Sequence, residues 1–550
     1  MTAAALTLSR HEERQVASSL PRWRRWVPLA LVIAGQIVQS ARLLSSAVSI
    51  DEARYIYAGH ALLYELLHGH GSPYYETYFS GAPVVFCPIA GVADSFGGIV
   101  AVRLLCLTFV VGASVLLFAA ARRLFGHWVG VLAVALFASV NLTYFVGTYA
   151  NYDSMSLFLL ALALYGAVRS RETKWFCLLP LLMLAANATK YMTLLFDPVI
   201  IGVAACLPPG WRRRLDRALA LAGATVPLLV LAVFLAGSAY WDGISFTTLS
   251  RGSGASVLLG AVYRPTSYIL YESADWIGLV VVLGVAGVLL ALRAHNTRKS
   301  LPILAVLAFA GILVTLEGLH LHSDESMNQH DDFSAFFAAI PAAYALVATV
   351  QAVRSRAMQC AAALVAVSVV GLAWMHGDTG KRVYSLASEA SLANYPFYGA
   401  MKPYLQLAGE HYLIGGDIEF AMLYVDRVSQ PWYFYSDDSY IKYPIPGRGG
   451  DDTGQVRGRT CQAVRPGCMY LTGPAGYAAA IRAHFFAFIT LVGRHHSNNE
   501  RQQHVVQQDE TIQRVASTTP GYVLLTAADG APTWIYLPDY EHKAPVVPAR

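Results

Sequence analysis

The chain has 550 residues, of which 55% are hydrophobic and 14% are charged, and its formal net charge is +5. Charged residues make up about a quarter of a typical soluble domain, so this composition excludes an ordinary soluble enzyme and indicates a membrane protein. The net charge is small, and nothing in the sequence predicts a nucleic-acid partner.

The N-terminal segment, residues 1–26, is polar and carries five arginines: Arg10, Arg14, Arg22, Arg24 and Arg25. The apolar run that follows, about Trp26–Val48, is long enough to stay in the membrane as a span, so we expect no cleaved signal peptide. Basic flanks remain on the cytoplasmic side. The N-terminus is therefore predicted inside, and the first span runs outward.

Apolar blocks of about 20 residues recur and predict a polytopic α-helical protein with about eleven transmembrane helices in residues 27–375. After the first span, we predict spans near Ile99–Ala121, Trp128–Val146, Ser154–Val168, Trp175–Leu184, Met192–Leu207, Ala218–Gly237, Ile277–Leu292, Leu301–Leu316, Phe333–Val350 and Met358–Met375. The outer segments up to the last span contain only four basic residues, Arg54, Lys190, Arg251 and Arg264. This asymmetry obeys the positive-inside rule and supports the predicted orientation of the spans. We expect the chain to lie in the plasma or inner membrane.

The first outer loop, residues 49–82, begins with Ser-Ile-Asp-Glu-Ala-Arg-Tyr-Ile-Tyr. Its apolar and aromatic residues recur at helical spacing, which predicts an amphipathic helix in the membrane interface. The next apolar piece, Pro83–Phe96, is too short to cross a bilayer, so we predict a re-entrant or interfacial segment there.

Two carboxylates, Asp51 and Glu52, open this loop. Adjacent residues do not point the same way, so we expect one to face a reacting centre and the other to contact backbone or headgroups. Such a carboxylate could act as a general base or bind a divalent metal, and the alternative is a helix cap. Arg54 and Lys190 could each hold a phosphate, or could extend toward lipid headgroups.

Asp153 lies at the outer end of the fourth span, where it could cap a helix or meet Asp51 in an acid/base or metal site. The densest polar cluster near the membrane is the predicted outer loop 317–332. It could bind a metal or a sugar acceptor, or be an ordinary solvated loop. Its candidate residues are Glu317, His320, His322, Asp324, His330 and Asp331.

Beyond residue 375 the apolar runs shorten to strand length, with Gly, Pro and Asp between them. We predict an extracytoplasmic α/β domain over residues 376–538 and a tail over 539–550. Cys461 and Cys468 could form a disulfide there, or remain free. The predicted strands are His411–Ile414, Ala421–Val425, Met469–Leu471, Phe486–Val492, Tyr522–Leu525 and Trp534–Leu537.

Several segments together resemble the C-type integral-membrane glycosyltransferases, in particular the protein O-mannosyltransferase-like and lipid A aminoarabinose transferase-like group. The matching pieces are DEARYIY, RLLCLTF with AARRLFG, TYANYDSMSLFLLALAL, LAANATKYMTLL and HDDFSAFFAAIPAAYAL. The resemblance covers about residues 27–350. It implies inverting transfer of a sugar from a polyprenyl-phosphate carrier in the bilayer to an extracytoplasmic acceptor, with a divalent metal as a candidate cofactor.

By the same resemblance, Asp51 corresponds to the family's catalytic or metal-associated acid and Asp153 to its second acid. Arg54 and Lys190 correspond to basic positions near the carrier phosphate. The segment 79–83, Phe-Ser-Gly-Ala-Pro, departs from the acidic-basic pair before Pro-Pro of the aminoarabinose transferases. That departure removes a candidate metal ligand and a phosphate-binding lysine.

Two other functions remain open at this point. A transporter or flippase for a lipid-linked sugar would show paired hydropathy halves, and the sequence shows none. A non-catalytic envelope-assembly protein would leave the pattern at Asp51 and Asp153 unexplained.

Overall fold

The fold is described from a computed structural model. It covers residues 26–44, 46, 48–68, 79, 81–236, 264–293, 300–322, 327–353, 411–414, 434–436, 442–444, 470–491, 500–526 and 532–537. The chain divides into two compact units. The first, here called the membrane unit, comprises Met1–Ser46, Tyr75–Phe86 and Ala93–Leu386, and the second unit comprises Ala47–Tyr74, Cys87–Val92 and Ala387–Arg550.

Helices account for almost all of the described residues before position 354. In chain order they are α1 Val27–Ala41, α2 Ile50–His68, α3 Pro83–Phe125, α4 His127–Ser139, α5 Asn141–Thr148, α6 Tyr152–Arg169, α7 Thr173–Thr189, α8 Asp197–Cys206, α9 Trp211–Ala236, α10 Thr266–Arg293, α11 Leu301–Ala310, α12 Leu313–Leu321 and α13 Met327–Ala352. A 3-10 helix, Tyr191–Phe196, connects α7 to α8.

Five helical segments in the described part of the chain are long and apolar enough to cross a membrane, or six if the bent pair α4–α5 counts as one span. This finding confirms an integral membrane protein. The predicted number of eleven spans stays a prediction, and the predicted span Met358–Met375 lies outside the described residues.

The first span is shorter than predicted, because α1 ends at Ala41 and a turn follows. Arg103, on α3, lies fully buried beside this turn. Its Nη1 donates to the carbonyl oxygens of Leu44 at 2.8 Å and Ser46 at 2.7 Å. The guanidinium thus satisfies backbone oxygens that have left the helical hydrogen-bond pattern.

Helix α3 runs for 43 residues but contains a break at Gly97 and Gly98. Gly98 has a φ of +64°, a conformation that residues with a Cβ atom rarely adopt. The break lies between the predicted short segment Pro83–Phe96 and the predicted span Ile99–Ala121. The re-entrant or interfacial placement of the short segment stays a prediction.

The predicted third span, Trp128–Val146, is divided into two helices by a bend. Helices α4 and α5 meet at an angle of 76°, and Val140 between them has extended backbone angles. Two side-chain hydroxyls form hydrogen bonds to backbone carbonyl oxygens at the bend. Thr143 Oγ1 lies 2.7 Å from the Phe137 oxygen, and the Tyr144 hydroxyl donates to the Ala138 oxygen. Side chains that satisfy freed backbone groups are a usual cause of such bends.

The second unit contains α2 and a five-stranded sheet in the order β2–β1–β5–β7–β6. Strands β1, β2 and β5 are parallel, whereas β7 is antiparallel to both β5 and β6. A separate antiparallel pair joins β3 to β4. The elements are β1 His411–Ile414, β2 Phe434–Ser436, β3 Lys442–Pro444, β4 Tyr470–Thr472, α14 Gly473–Arg482, β5 Phe486–Thr490, α15 Glu500–Thr518, β6 Tyr522–Thr526 and β7 Pro532–Tyr536.

The predicted α/β character of this C-terminal region is therefore correct. Five of the six predicted strands lie within two residues of an observed strand, and Ala421–Val425 falls outside the described residues. Helices α14 and α15 pack on the sheet, and the core between them contains Leu413, Tyr477, Ile489, Ile512 and Trp534.

Candidate functional site

The centre of the candidate site in the membrane unit is an ion pair between Lys190 and Asp153. Lys190 Nζ donates to Asp153 Oδ1, and the two side chains are only 2% and 1% exposed. The ammonium also lies 5.1 Å from the centroid of the Tyr152 ring. Burying a charge is costly unless it is paired, and in this ion pair each group compensates the charge of the other.

The start of α6 fixes the orientation of Asp153. Asn151 is the N-cap of this helix, and its side-chain oxygen accepts a hydrogen bond from Asp153 N at 3.0 Å. Asn151 Nδ2 donates to Asp153 Oδ2 at 2.7 Å. The predicted capping role at this turn thus belongs to Asn151, and both carboxylate oxygens of Asp153 have donors.

Lys190 lies at the end of α7, where a second polar network holds its backbone. Thr193 Oγ1 lies 2.9 Å from the Lys190 carbonyl oxygen and 2.7 Å from Asn187 Oδ1. Asn187 Nδ2 donates to Asp197 Oδ2 at 2.8 Å. This network fixes the turn from which the Lys190 side chain extends.

Gly81 packs directly against the same turn. A Cβ atom at this position would lie 2.0 Å from the Thr189 carbonyl oxygen and 3.2 Å from Lys190 Cα. Ala82 N donates to the Ala188 oxygen at 2.7 Å. Only glycine permits this approach. Gly81 and Ala82 belong to the segment that departs from the aminoarabinose transferase pattern, and they pack against the backbone turn that carries Lys190.

Two more acids are buried near the start of α13. Asp331 and Asp332 are both fully buried. Asp332 Oδ1 lies 2.8 Å from Thr143 Oγ1, at the α4–α5 bend, and Asp332 is close enough to Asp153 for their charges to interact. The other Asp332 oxygen has no hydrogen-bond partner among the described residues.

Asp51, Glu52 and Arg54 lie in the first turns of α2, in the second unit. Glu52 is fully buried, and its Oε2 accepts a hydrogen bond from Ser49 N at 3.0 Å. Glu52 N in turn lies 3.4 Å from Ser49 Oγ. This Ser-x-x-Glu arrangement is a capping box. Of the two adjacent carboxylates, Glu52 is therefore the one that accepts from the Ser49 backbone, and Asp51 is half-buried.

The predicted outer loop 317–332 is largely helical. Glu317 and His320 lie on α12, His322 ends it with a left-handed φ of 50°, and His330 and Asp331 lie in the first turns of α13. Asp324 lies outside the described residues, as do Cys461 and Cys468, so the predicted disulfide stays a prediction.

The described residues do not fit a divalent metal. No three His, Cys, Asp or Glu side chains within this part of the chain come together in a group that could hold an ion. Asp153, one of the candidate ligands, already uses Oδ1 for Lys190 and Oδ2 for Asn151. A lysine ion pair and a metal would compete for the same oxygen, so we derive no step through a metal.

Sequence reasoning did not single out Arg103, Asn151, Asp197 or Asp332. An ionisable residue inside an apolar span is by itself a candidate for a functional or structural role, and this criterion would have identified Arg103. The N-cap role of Asn151 follows from its position before an apolar helix.

Part of the chain matches a known protein family. Residues 81–236 match the family model described as "Dolichyl-phosphate-mannose-protein mannosyltransferase". That stretch contains Gly81, Asp153 and Lys190. A search of the curated proteins found no match.

Two crystal structures of ArnT from Cupriavidus metallidurans resemble nearly the whole chain. The structure bound to undecaprenyl phosphate has a TM-score of 0.59 and 13% identity, and the match covers 93% of this chain and 98% of that chain. The chain has the C-type glycosyltransferase fold. The apo structure of ArnT gives a TM-score of 0.57 and 12% identity, with coverage of 94% and 98%. At this identity the likeness of the structures concerns the fold.

The predicted resemblance to the C-type glycosyltransferases is confirmed by the family match together with this fold. The predicted enzyme class, glycosyltransferase, is confirmed on the same grounds. The donor, the acceptor and the roles of individual residues go beyond both comparisons.

Proposed function

We propose that the chain transfers a sugar from a polyprenyl-phosphate-linked donor to an acceptor on the extracytoplasmic face of the plasma or inner membrane, with inversion at the sugar C1. The observation that carries the proposal is the buried Lys190–Asp153 ion pair within the residues that match the mannosyltransferase model. ArnT, which shares the fold, has been crystallised with undecaprenyl phosphate.

Lys190 suits the leaving group of this reaction. As the bond between C1 and the phosphate oxygen breaks, negative charge develops on the polyprenyl phosphate. A pre-positioned cation in a site that excludes water stabilises such charge strongly, because no solvent has to reorganise. Asp153 pairs with this cation, and we assign Arg54 as a second phosphate contact.

Asp51 is the proposed general base. The acceptor hydroxyl attacks C1 from the face opposite the phosphate, and its proton passes to the Asp51 carboxylate as the new bond forms. We assign Glu52 to the capping box rather than to this step, since Ser49 N binds its carboxylate. The extracytoplasmic side is supported by the distribution of basic residues between loops.

The test is transfer from a panel of radiolabelled polyprenyl-phosphate sugars, with the full-length protein in purified membranes and with Asp51→Asn. Removing a general base lowers kcat by roughly 10²–10⁴, so we expect labelled product from the wild type and almost none from the variant. Asp216→Asn is the matched control, because Asp216 is an exposed acid on α9. Equal product from wild type and Asp51→Asn would remove Asp51 from the mechanism.

A further inference from the structure

The Thr143 hydroxyl makes two short contacts to oxygen atoms, but it has only one proton and can donate in only one of them. Its Oγ1 lies 2.7 Å from the Phe137 carbonyl oxygen and 2.8 Å from Asp332 Oδ1. A carbonyl oxygen only accepts hydrogen bonds, and a hydroxyl donates one and accepts up to two. With Thr143 donating to Phe137, the proton in the second contact has to come from Asp332.

The opposite arrangement is unfavourable. If Thr143 donated to an ionised Asp332, two oxygen atoms with lone pairs would face each other at 2.7 Å without a proton between them. Asp332 would also be a fully buried anion with one oxygen unpartnered among the described residues. A buried charge of this kind is costly, whereas the carbonyl oxygen of a neutral acid is far cheaper to leave unpaired.

The charges around Asp332 lead to the same conclusion. Lys190 is the buried cation of this cluster, and it is already paired with Asp153. Asp153 itself is an acid whose charge acts on Asp332, and Asp331 is the neighbouring buried acid on the same helix. No ion pair seen among the described residues involves Asp332.

We propose that Asp332 is a positioning residue that works as a neutral carboxylic acid. Its O–H donates to Thr143, which ties α13 to the α4–α5 bend, and its neutrality leaves the Lys190 charge entirely to Asp153. The bend leads through α5 into the Asn151 cap that orients Asp153. The proposed charge state is independent of the proposed function, whereas the link to turnover rests on it.

Difference infrared spectroscopy on the purified full-length protein at neutral pH tests the charge state without any substrate. Subtracting the Asp332→Asn spectrum from that of the wild type should reveal the C=O stretch of a protonated carboxylic acid. In Thr143→Val the band should persist and move to higher frequency, because its hydrogen bond is lost. Loss of carboxylate bands in Asp332→Asn, with no change in the acid band, would overturn the proposal. Asp216→Asn is the control for an exposed carboxylate.

Turnover tests the positioning role. Asparagine presents an N–H where the neutral acid presents an O–H, whereas leucine has no donor. We expect Asp332→Leu to lose about tenfold in kcat, as befits one hydrogen bond, and Asp332→Asn to recover most of that loss. Equal loss in both variants would contradict the role of the donor. A failed transfer assay for the wild type itself would count against the proposed function and would leave the infrared result standing.

Discussion

Lys190 and Asp153 are 37 residues apart in sequence and form an ion pair in which both side chains are almost completely buried. The pair brings together the α6 cap at Asn151 and the turn that ends α7. The site in the membrane unit is therefore organised by a tertiary contact rather than by a local motif.

This pair predicts strong coupling between substitutions. Lys190→Met or Asp153→Asn alone leaves an uncompensated buried charge, which costs about 3–5 kcal/mol of stability. The double variant removes both charges and should recover most of that stability while transfer stays abolished. Thermal unfolding in detergent and a transfer assay on the four proteins measure this, with Lys174→Met, at an exposed lysine, as control. Additive losses of stability would show that the two groups do not interact.

Gly81→Ala should disturb Lys190 without removing any functional group. The added methyl would collide with the Thr189 oxygen, so the turn that carries Lys190 has to move. We expect overpacking of about 1–3 kcal/mol and a clear drop in transfer. Gly223→Ala is the control, since nothing lies within 4 Å of a Cβ there and alanine favours an exposed helix by up to about 1 kcal/mol. Unchanged transfer in Gly81→Ala would separate this segment from the site.

The capping box predicts different outcomes for the adjacent acids of α2. Glutamine can replace glutamate in a capping box, so Glu52→Gln should keep both the fold and most of the transfer. Ser49→Ala should cost about 0.5–2 kcal/mol of stability through loss of the cap, whereas Asp51→Asn should abolish transfer with little change in unfolding. A Glu52→Gln enzyme as inactive as Asp51→Asn would assign chemistry to Glu52 as well.

We expect the second unit to become less stable at alkaline pH because of Tyr522. Its hydroxyl donates to the Phe486 oxygen at 2.6 Å, and burial raises the pKa of Tyr522 above its usual value. Above about pH 10, the pKa of a free tyrosine, the unfolded chain loses this proton while the folded chain retains it. The stability contribution is therefore complete below that pH and declines above it. Tyr522→Phe should flatten the decline in unfolding temperature, and Tyr271→Phe, at an exposed tyrosine, should leave it unchanged.

Local patterns predicted much of the fold. The alternation of apolar and basic segments indicated the membrane unit, and short apolar runs between turn residues placed strands such as β1 at its observed bounds. The break in α3 was also predictable, because Gly97 and Gly98 separate two apolar runs. These features depend on neighbours in sequence, which is why a single sequence was enough to find them.

The parts that could not be predicted depend on distant contacts. The α4–α5 bend follows an unbroken apolar pattern, and only the hydroxyls of Thr143 and Tyr144 show why the helix turns there. Asp153 and Lys190 were both candidates, but their pairing needs the fold of α6 against α7. Of the two adjacent acids at α13, the density of polar residues in the loop drew attention to Asp331, while the contact with Thr143 identifies Asp332.

The most direct measurement is the fate of the donor's lipid phosphate. Full-length protein in vesicles is given a polyprenyl-phosphate sugar labelled in both sugar and lipid, and free polyprenyl phosphate is quantified for the wild type and Lys190→Met. The account predicts one lipid phosphate released for each sugar transferred by the wild type, and a loss of roughly 10²–10³ in rate for the variant, the scale expected for one transition-state donor. Intact donor that crosses the bilayer without release of lipid phosphate would contradict a transferase and establish a flippase.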